Sequence, residues 1–510
     1  MNGAAPQSFT PAQRWLATAA ALFAFFTSIF TGTMVNVAIP DVMGAFGVGQ
    51  SQAQFLSSAF LAMNTTGLLA SSWTIAKLGQ RQTFVLSLLL FAGAGALCYV
   101  SPNLELIIVG RVVQGFAAGL LQPLVMLVLF QVFPPEKRGL AMGMFSMGVT
   151  VALGLAPTLG GVAIDAFSWR ATFIAPVPAC LLAILLGWLF LPKEEARGQA
   201  GRFDVLGFAL INITVFCWFT MLGNGQRWGW ESDKILALAM ATLLGALAFW
   251  LSQLRRGSST LDLSLFRNGR FTTALGVSFL FGFGNFATVY SFPIFGQIVQ
   301  DFTPTIAGSM LLPGSLAAGL ALPFFGRLSD LFPAPWVMAG GLLVIAVGVA
   351  LLAGADPNTT FWYVAIALLL GRLGSALVSP ALNSTAVGAL GPEQMRKGAG
   401  VVNLALMLGG STGISVYVAM LEQRIEFHAV NLGATQTPGN AAAVETLAAV
   451  KGQLAAAGLP GLARDGMAID YLDRLVVAQA NMLGFQDGFA ALTIIALLPL
   501  IPVAVLAMRR

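Results

Sequence analysis

Fourteen apolar runs, each about 20 residues long, constrain this chain of 510 residues more than any other feature of its sequence. A hydrocarbon layer offers no water to bond a free N–H or C=O, so such runs must close their hydrogen bonds within themselves, as helices. The runs lie near 14–37, 53–75, 83–101, 105–129, 140–163, 171–192, 205–223, 235–254, 272–297, 304–325, 335–354, 360–385, 399–421 and 485–508. Only 9% of residues are charged, against roughly 25% in a soluble domain, so the chain cannot clothe itself for water. A single His and three Cys, all three in apolar runs, leave no donor set for a metal or a disulfide framework. No Gly-rich loop ends in Lys-Ser or Lys-Thr, and no Lys/Arg run is long enough to hold nucleic acid. The sequence therefore predicts an all-α integral membrane protein that is not an enzyme, takes no cofactor or metal, binds no nucleic acid and is surrounded by membrane lipids.

Orientation is read from Lys and Arg, which concentrate in cytoplasmic loops. With the N-terminus inside, seventeen of the 26 basic residues fall in cytoplasmic segments and three in short outer loops. The expectation is a multi-pass protein of the cell inner membrane with both termini in the cytoplasm. The first apolar run is too long for a cleaved signal.

The sequence also repeats itself. Gly110-Arg111 returns as Gly371-Arg372, and Pro135-Glu136 with Lys137-Arg138-Gly139 returns as Pro392-Glu393 with Arg396-Lys397-Gly398, each about 260 residues later. A third pair, around Lys77-Leu78-Gly79-Gln80-Arg81 and Gly326-Arg327-Leu328-Ser329-Asp330, keeps the same order. Duplicated halves around a midplane site are the common plan of secondary transporters. The expected division is a tail at 1–13, a six-helix bundle at 14–192, a two-span insertion at 193–270, and a second bundle at 271–421 plus 485–508. A loop at 422–484 is expected to carry two amphipathic helices, 441–457 and 467–482, on the outer face.

Several stretches carry a family resemblance. They are Asn36-Val37-Ala38-Ile39-Pro40-Asp41, Gly110-Arg111-Val112-Val113-Gln114-Gly115, Pro134-Pro135-Glu136-Lys137-Arg138-Gly139, Gly154-Leu155-Ala156-Pro157-Thr158-Leu159-Gly160-Gly161 and Ser168-Trp169-Arg170. From about Trp15 onward the chain resembles the major facilitator superfamily, and within it the fourteen-span drug:proton antiporters of the EmrB/QacA type. The resemblance implies two pseudo-symmetric six-helix bundles with two inserted spans, and export of amphiphilic or hydrophobic small molecules by alternating access. It implies a coupling role for Arg111. It also implies that Gly154, Pro157, Gly160 and Gly161 form the hinge between halves, and that Lys77, Arg81, Arg327 and Asp330 form a cytoplasmic latch.

The sequence departs from that pattern at two places. Thr31 stands where the family has a span-1 Asp, and Leu406 where it often has an Arg. Carboxylates that could exchange protons in their stead are Asp41 and Asp165, near the outer ends of spans 1 and 5, and Asp487 at the start of span 14. Amides and hydroxyls for a substrate cavity are Thr31, Asn36, Asn64, Gln114, Gln122, Asn285, Tyr290 and Asn403, set among adaptable Phe and Met. Two further readings stay open: a lipid or metabolite carrier with altered or absent proton coupling, and a periplasmic adaptor docking on the outer loop.

Overall fold

The computed structural model describes residues 11–133, 138–191, 203–256 and 263–508, and every regular element among them is helical. The first half begins with α1 (Pro11–Met34), a 3-10 turn (Val35–Ala38) and α2 (Ile39–Phe46). It continues through α3 (Gln50–Ala53), α4 (Phe55–Leu78), α5 (Gln80–Val100), α6 (Leu104–Val132), α7 (Arg138–Ala166), α8 (Ala171–Ile174) and α9 (Val177–Phe190). An inserted pair follows, α10 (Val205–Trp228) and α11 (Asp233–Arg256). After a 3-10 turn (Leu263–Arg267), the second half comprises α12 (Gly269–Ile298), α13 (Pro304–Ser309), α14 (Leu312–Leu331), α15 (Ala334–Leu352), α16 (Phe361–Gly388) and α17 (Pro392–Ala434). It ends with α18 (Ala441–Ala456), α19 (Gly461–Leu497) and α20 (Leu500–Met508). Side-chain caps begin several helices: Asn103 accepts from Leu106 N at 3.0 Å, and Asp204 from Gly207 N at 2.9 Å. Such a cap contributes about 1 kcal/mol.

Among the described residues, thirteen helical stretches are long and apolar enough to cross a membrane. The expected span at 53–75 corresponds to α4, which has the length, 24 residues, but is too polar to count among them. It buries Ser57, Ser58, Asn64, Thr65, Thr66 and Ser71 instead of showing them to lipid. Close backbone packing makes that burial practicable. On α6, a Cβ at Gly115 would stand 2.2 Å from the Phe60 carbonyl oxygen, and one at Gly119 would stand 2.1 Å from that of Asn64. Only glycine lets α6 lie this close on α4.

Packing follows a pseudo-twofold plan. Within the halves α6 lies on α4 and α5, and correspondingly α16 lies on α14 and α15. Between halves, the fifth long helix of each packs on the second long helix of the other: α7 on α13–α14, and α17 on α3–α4. α10 touches α4 and α17, one from each half, and α11 packs on α10.

The segment expected as a separate outer loop is built differently. α17 runs 43 residues without a break, to Ala434, and α19 is one 37-residue helix where an amphipathic helix and a following span were expected. Gly484 does not interrupt α19, because it seats that helix on α17: a Cβ there would meet the Ile425 side chain at 2.4 Å. Asp487 Oδ2 fastens the two rods, accepting from Arg424 Nε at 2.6 Å and lying 2.7 Å from His428 Nε2. Lys451 on α18 pairs with Asp465 on α19 at 2.7 Å. The end of the bundle carrying these extensions is the cap face, and the opposite end, where α1 begins and α20 ends, is the tail face.

Candidate functional site

Arg111 on α6 is fully buried, with 0% exposure. A charge in that position must be met by protein. Its Nε donates to the Leu56 carbonyl of α4 at 2.6 Å, and Nη1 donates to the Thr31 carbonyl of α1 at 3.0 Å and to Gln114 Oε1 at 3.1 Å. The guanidinium also lies 4.3 Å over the Phe60 ring, a cation–π contact. One side chain thus ties α1, α4 and α6 together. Nη2 and the nearby Thr31 Oγ1 are buried without a hydrogen-bond partner. At Thr31, where the family resemblance implies a span-1 Asp, the acceptor offered to this Arg is the main-chain carbonyl.

The α7 stretch forms the seam between halves. α7 stays helical through Pro157, so the glycines act by close approach and not by breaking the helix. A Cβ at Gly154 would be 2.3 Å from Ser315 Cβ of α14, and one at Gly161 would be 2.3 Å from the Pro304 carbonyl oxygen of α13. Gly308 of α13 returns the contact, 2.2 Å from the Pro157 carbonyl. Gly160 faces its own half, against Met34. Thr158 Oγ1 lies 3.3 Å from the Gly308 carbonyl oxygen, to which it donates.

Two carboxylates close the seam on the cap face, and they are related by the pseudo-twofold. Asp165, at the end of α7, accepts from the backbone N–H of Thr305 in α13 at 3.1 Å. Glu422, on the equivalent helix α17, accepts from the backbone N–H of Ser51 in α3 at 2.6 Å. Each takes a main-chain donor at the start of the other half's second long helix, where unpaired N–H groups favour an anion. A further bond between halves runs from Gln297 Nε2 to the Val37 carbonyl at 2.9 Å. Asp41 stands within electrostatic reach of Asp165, and its Oδ2 is buried without a partner.

Two halves of like design, meeting across a glycine seam, is the plan of one large group of carriers, and the sequence profile described as Major Facilitator Superfamily matches residues 21–414. The chain belongs to the major facilitator superfamily. The multidrug export protein EmrB of Haemophilus influenzae is 29% identical over 430 residues, covering 83% of this chain and 84% of that protein. The methylenomycin A resistance protein of Streptomyces coelicolor is 25% identical over 390 residues, covering 76% and 82%. Among solved structures, a bacterial homologue of the human lysosomal transporter Spinster, inward-facing and unoccupied, matches with a TM-score of 0.67 at 17% identity over 99% of both chains.

The polar residues expected in a facilitator cavity part company. Asn36 Oδ1 accepts from Ser57 Oγ at 2.6 Å, locking the 3-10 turn to α4. Gln114 is committed to Arg111, and Tyr290 is fully buried between α12 and its neighbours. Asn285 faces small cavities inside the second half. Asn64 is buried with Oδ1 unpaired, while Gln122 and Asn403 are half-buried and have no hydrogen-bond partner among the described residues. At the tail face Lys77 Nζ sits 4.6 Å over Trp73 and the Arg81 guanidinium 4.3 Å over Trp188, contacts typical of an interfacial belt. Arg327 is exposed, and the Asp330 side chain lies outside the described residues, so no Arg327–Asp330 contact is described.

Sequence reasoning missed Glu422. Its signal was the repeat itself: Glu422 and Asp165 are separated by the same interval, about 260 residues, as the duplicated motifs.

Proposed function

We propose that this facilitator is a secondary active exporter of amphiphilic or hydrophobic small molecules, working by alternating access in the cell inner membrane with both termini cytoplasmic. The observation that carries the reading is the seam, where glycine contacts and twin carboxylates join the halves from mid-height to the cap face. A carrier closed there opens its binding site toward the tail face, and the export names of its relatives support outward transport as the direction. Asn64, Gln122 and Asn403 are the side chains left with polar atoms free to orient cargo. Arg111 and the neighbouring Asp41–Asp165 pair are the proposed coupling groups, with protons as the coupling ion. The rods of α17 and α19 with α18 are the proposed seat for a periplasmic adaptor.

A second reading, carriage of a lipid or metabolite without proton coupling, is favoured by Thr31 at the position of the family's span-1 Asp. Proteoliposomes loaded with a panel of amphiphilic dyes and lipids distinguish the two. Export requires dye flux that rises at least tenfold when a proton gradient is imposed. Flux indifferent to the gradient defeats antiport, and no flux for any compound defeats the exporter reading.

The twin carboxylates carry their own prediction. Hydrogen bonds to an ionised group contribute about 1.5–3 kcal/mol each, and an amide in the same place is a weaker acceptor. The double variant Asp165→Asn, Glu422→Gln is therefore expected to open the cap face, lengthening the distance between spin labels at Ala45→Cys and Ala434→Cys. Each single variant shifts it part of the way. An unchanged distance in the double variant removes the clamp.

A further inference from the structure

We infer that the second half holds a small inorganic anion of halide size on Arg372, at the place where the first half satisfies Arg111 with its own main chain. Arg372 on α16 is 7% exposed, with its stem against Gly314. Its guanidinium has no hydrogen-bond or ion-pair partner among the described residues, and it lines a cavity of about 20 Å³ between α12, α15 and α16. A guanidinium keeps its charge. At that depth a charge with no partner is costly, so an unpaired Arg implies something bound.

The lining decides what that is. Three other polar side chains face the cavity: Asn285, Thr288 and Ser375. The Thr288 hydroxyl donates to the Gly284 carbonyl at 2.8 Å, and the Ser375 hydroxyl to the Gly371 carbonyl at 2.8 Å, with Asn285 Oδ1 also near it at 3.3 Å. Their protons are spent within the protein. Free donors remain on the guanidinium and on Asn285 Nδ2, which has no partner among the described residues. No carboxylate lines the cavity. A site of positive charge and N–H donors selects an anion over a cation. A water would fill the donors but leave the charge uncompensated. The space is about that of one water-sized sphere, which needs about 10–15 Å³, and this favours a single-atom anion over the carboxylate of an organic cargo molecule.

The repeat explains how the vacancy between side chains arises. Arg111 and Arg372 are repeat mates, and three residues on from each stand Gln114 and Ser375. Gln114 is long enough to reach back and accept from Arg111. Ser375 is short and turns to its own helix at Gly371, which leaves room for a guest. The same scaffold thus satisfies the donors of one Arg with an amide and carbonyls, and leaves those of the other to a bound ion.

This inference stands apart from the transport reading, and a failed flux assay would leave it untouched. The test uses the purified full chain in detergent with sodium gluconate, into which chloride or bromide is titrated at constant ionic strength, so that screening is fixed. A ligand that binds the folded state raises the unfolding midpoint with the logarithm of its concentration. The wild type is expected to show that rise and Arg372→Met a flat response. Asn285→Asp places a fixed carboxylate in the cavity. It is expected to unfold in gluconate at the temperature the wild type reaches only with halide, and to ignore added halide. If Arg372→Met does not fold, Asn285→Asp decides alone. A wild type indifferent to halide, or an unaltered rise in either variant, overturns the inference.

Discussion

Gly161→Leu is expected to abolish transport while leaving each half folded. A Cβ at that position stands 2.3 Å from the Pro304 carbonyl oxygen, and its next contacts, Pro304 C and Thr305 Cα at 2.5 Å, are also backbone. No side-chain rotation relieves such a clash, so α7 and α13 must separate at the cap face. Overpacking of this kind costs typically 1–3 kcal/mol. Conformations of a carrier differ by only a few kcal/mol, so that cost moves the balance between closed and open by about five- to 150-fold. The clash lies between halves, and the packing inside each is untouched. The measurement is labelling by a membrane-impermeant maleimide of a cysteine placed at Thr158, beside the seam. The native Cys98, Cys180 and Cys217 are buried, which keeps the background low. Labelling is expected to rise at least tenfold as dye flux disappears. Gly276→Ala on α12, where a Cβ would meet nothing within 4 Å, is the matched control and leaves both unchanged. Full transport in Gly161→Leu would remove α7 from the mechanism.

The second large effect concerns Arg111. Arg111→Met keeps a long side chain and removes the charge. The desolvation penalty of a buried charge offsets much of what its hydrogen bonds return, so the unfolding midpoint is expected to stay within a few degrees. Transport is nevertheless expected to fall at least tenfold, because α1, α4 and α6 then lose the hydrogen bonds at 2.6 and 3.0 Å that make them move as one body. Arg111→Lys is not expected to rescue, since a single ammonium cannot reproduce a fork that reaches the Leu56 and Thr31 carbonyls while lying on Phe60. Flux and thermal unfolding measured on the same preparations check both parts. Undiminished flux in Arg111→Met would reduce the residue to a staple.

Much of this was legible in the residues. Apolar length gave the helices, and the repeat of Gly-Arg motifs gave the two halves, because both depend on local composition. What escaped depended on partners. Hydropathy reads the solvent a segment prefers, so α4 was found, but not that its backbone lies directly on the glycines of α6. Asn36 and Gln114 look like ligand-binding amides until Ser57 and Arg111 are seen to occupy them. The polar start of the segment after 421 does not end the helix, because nothing between Glu422 and Ala434 breaks one. Arg372 was visible from its motif. Its emptied neighbourhood was not, since that follows from the shortness of Ser375 in three dimensions.

The inserted pair gives the molecule two unlike flanks. α10 lays Phe219 and Val215 beside Ala62 of α4, and its Trp218 Nε1 donates to Thr412 Oγ1 of α17 at 3.2 Å, so it roofs one of the two clefts between halves. The opposite cleft, between α7 and α14, has no such roof among the described residues, and Leu159, Leu316 and Leu320 lie exposed along it. For the exporter proposed above, a greasy molecule dissolved among the acyl chains would meet one flank covered by α10 and one left uncovered, and sideways entry is expected on the uncovered flank.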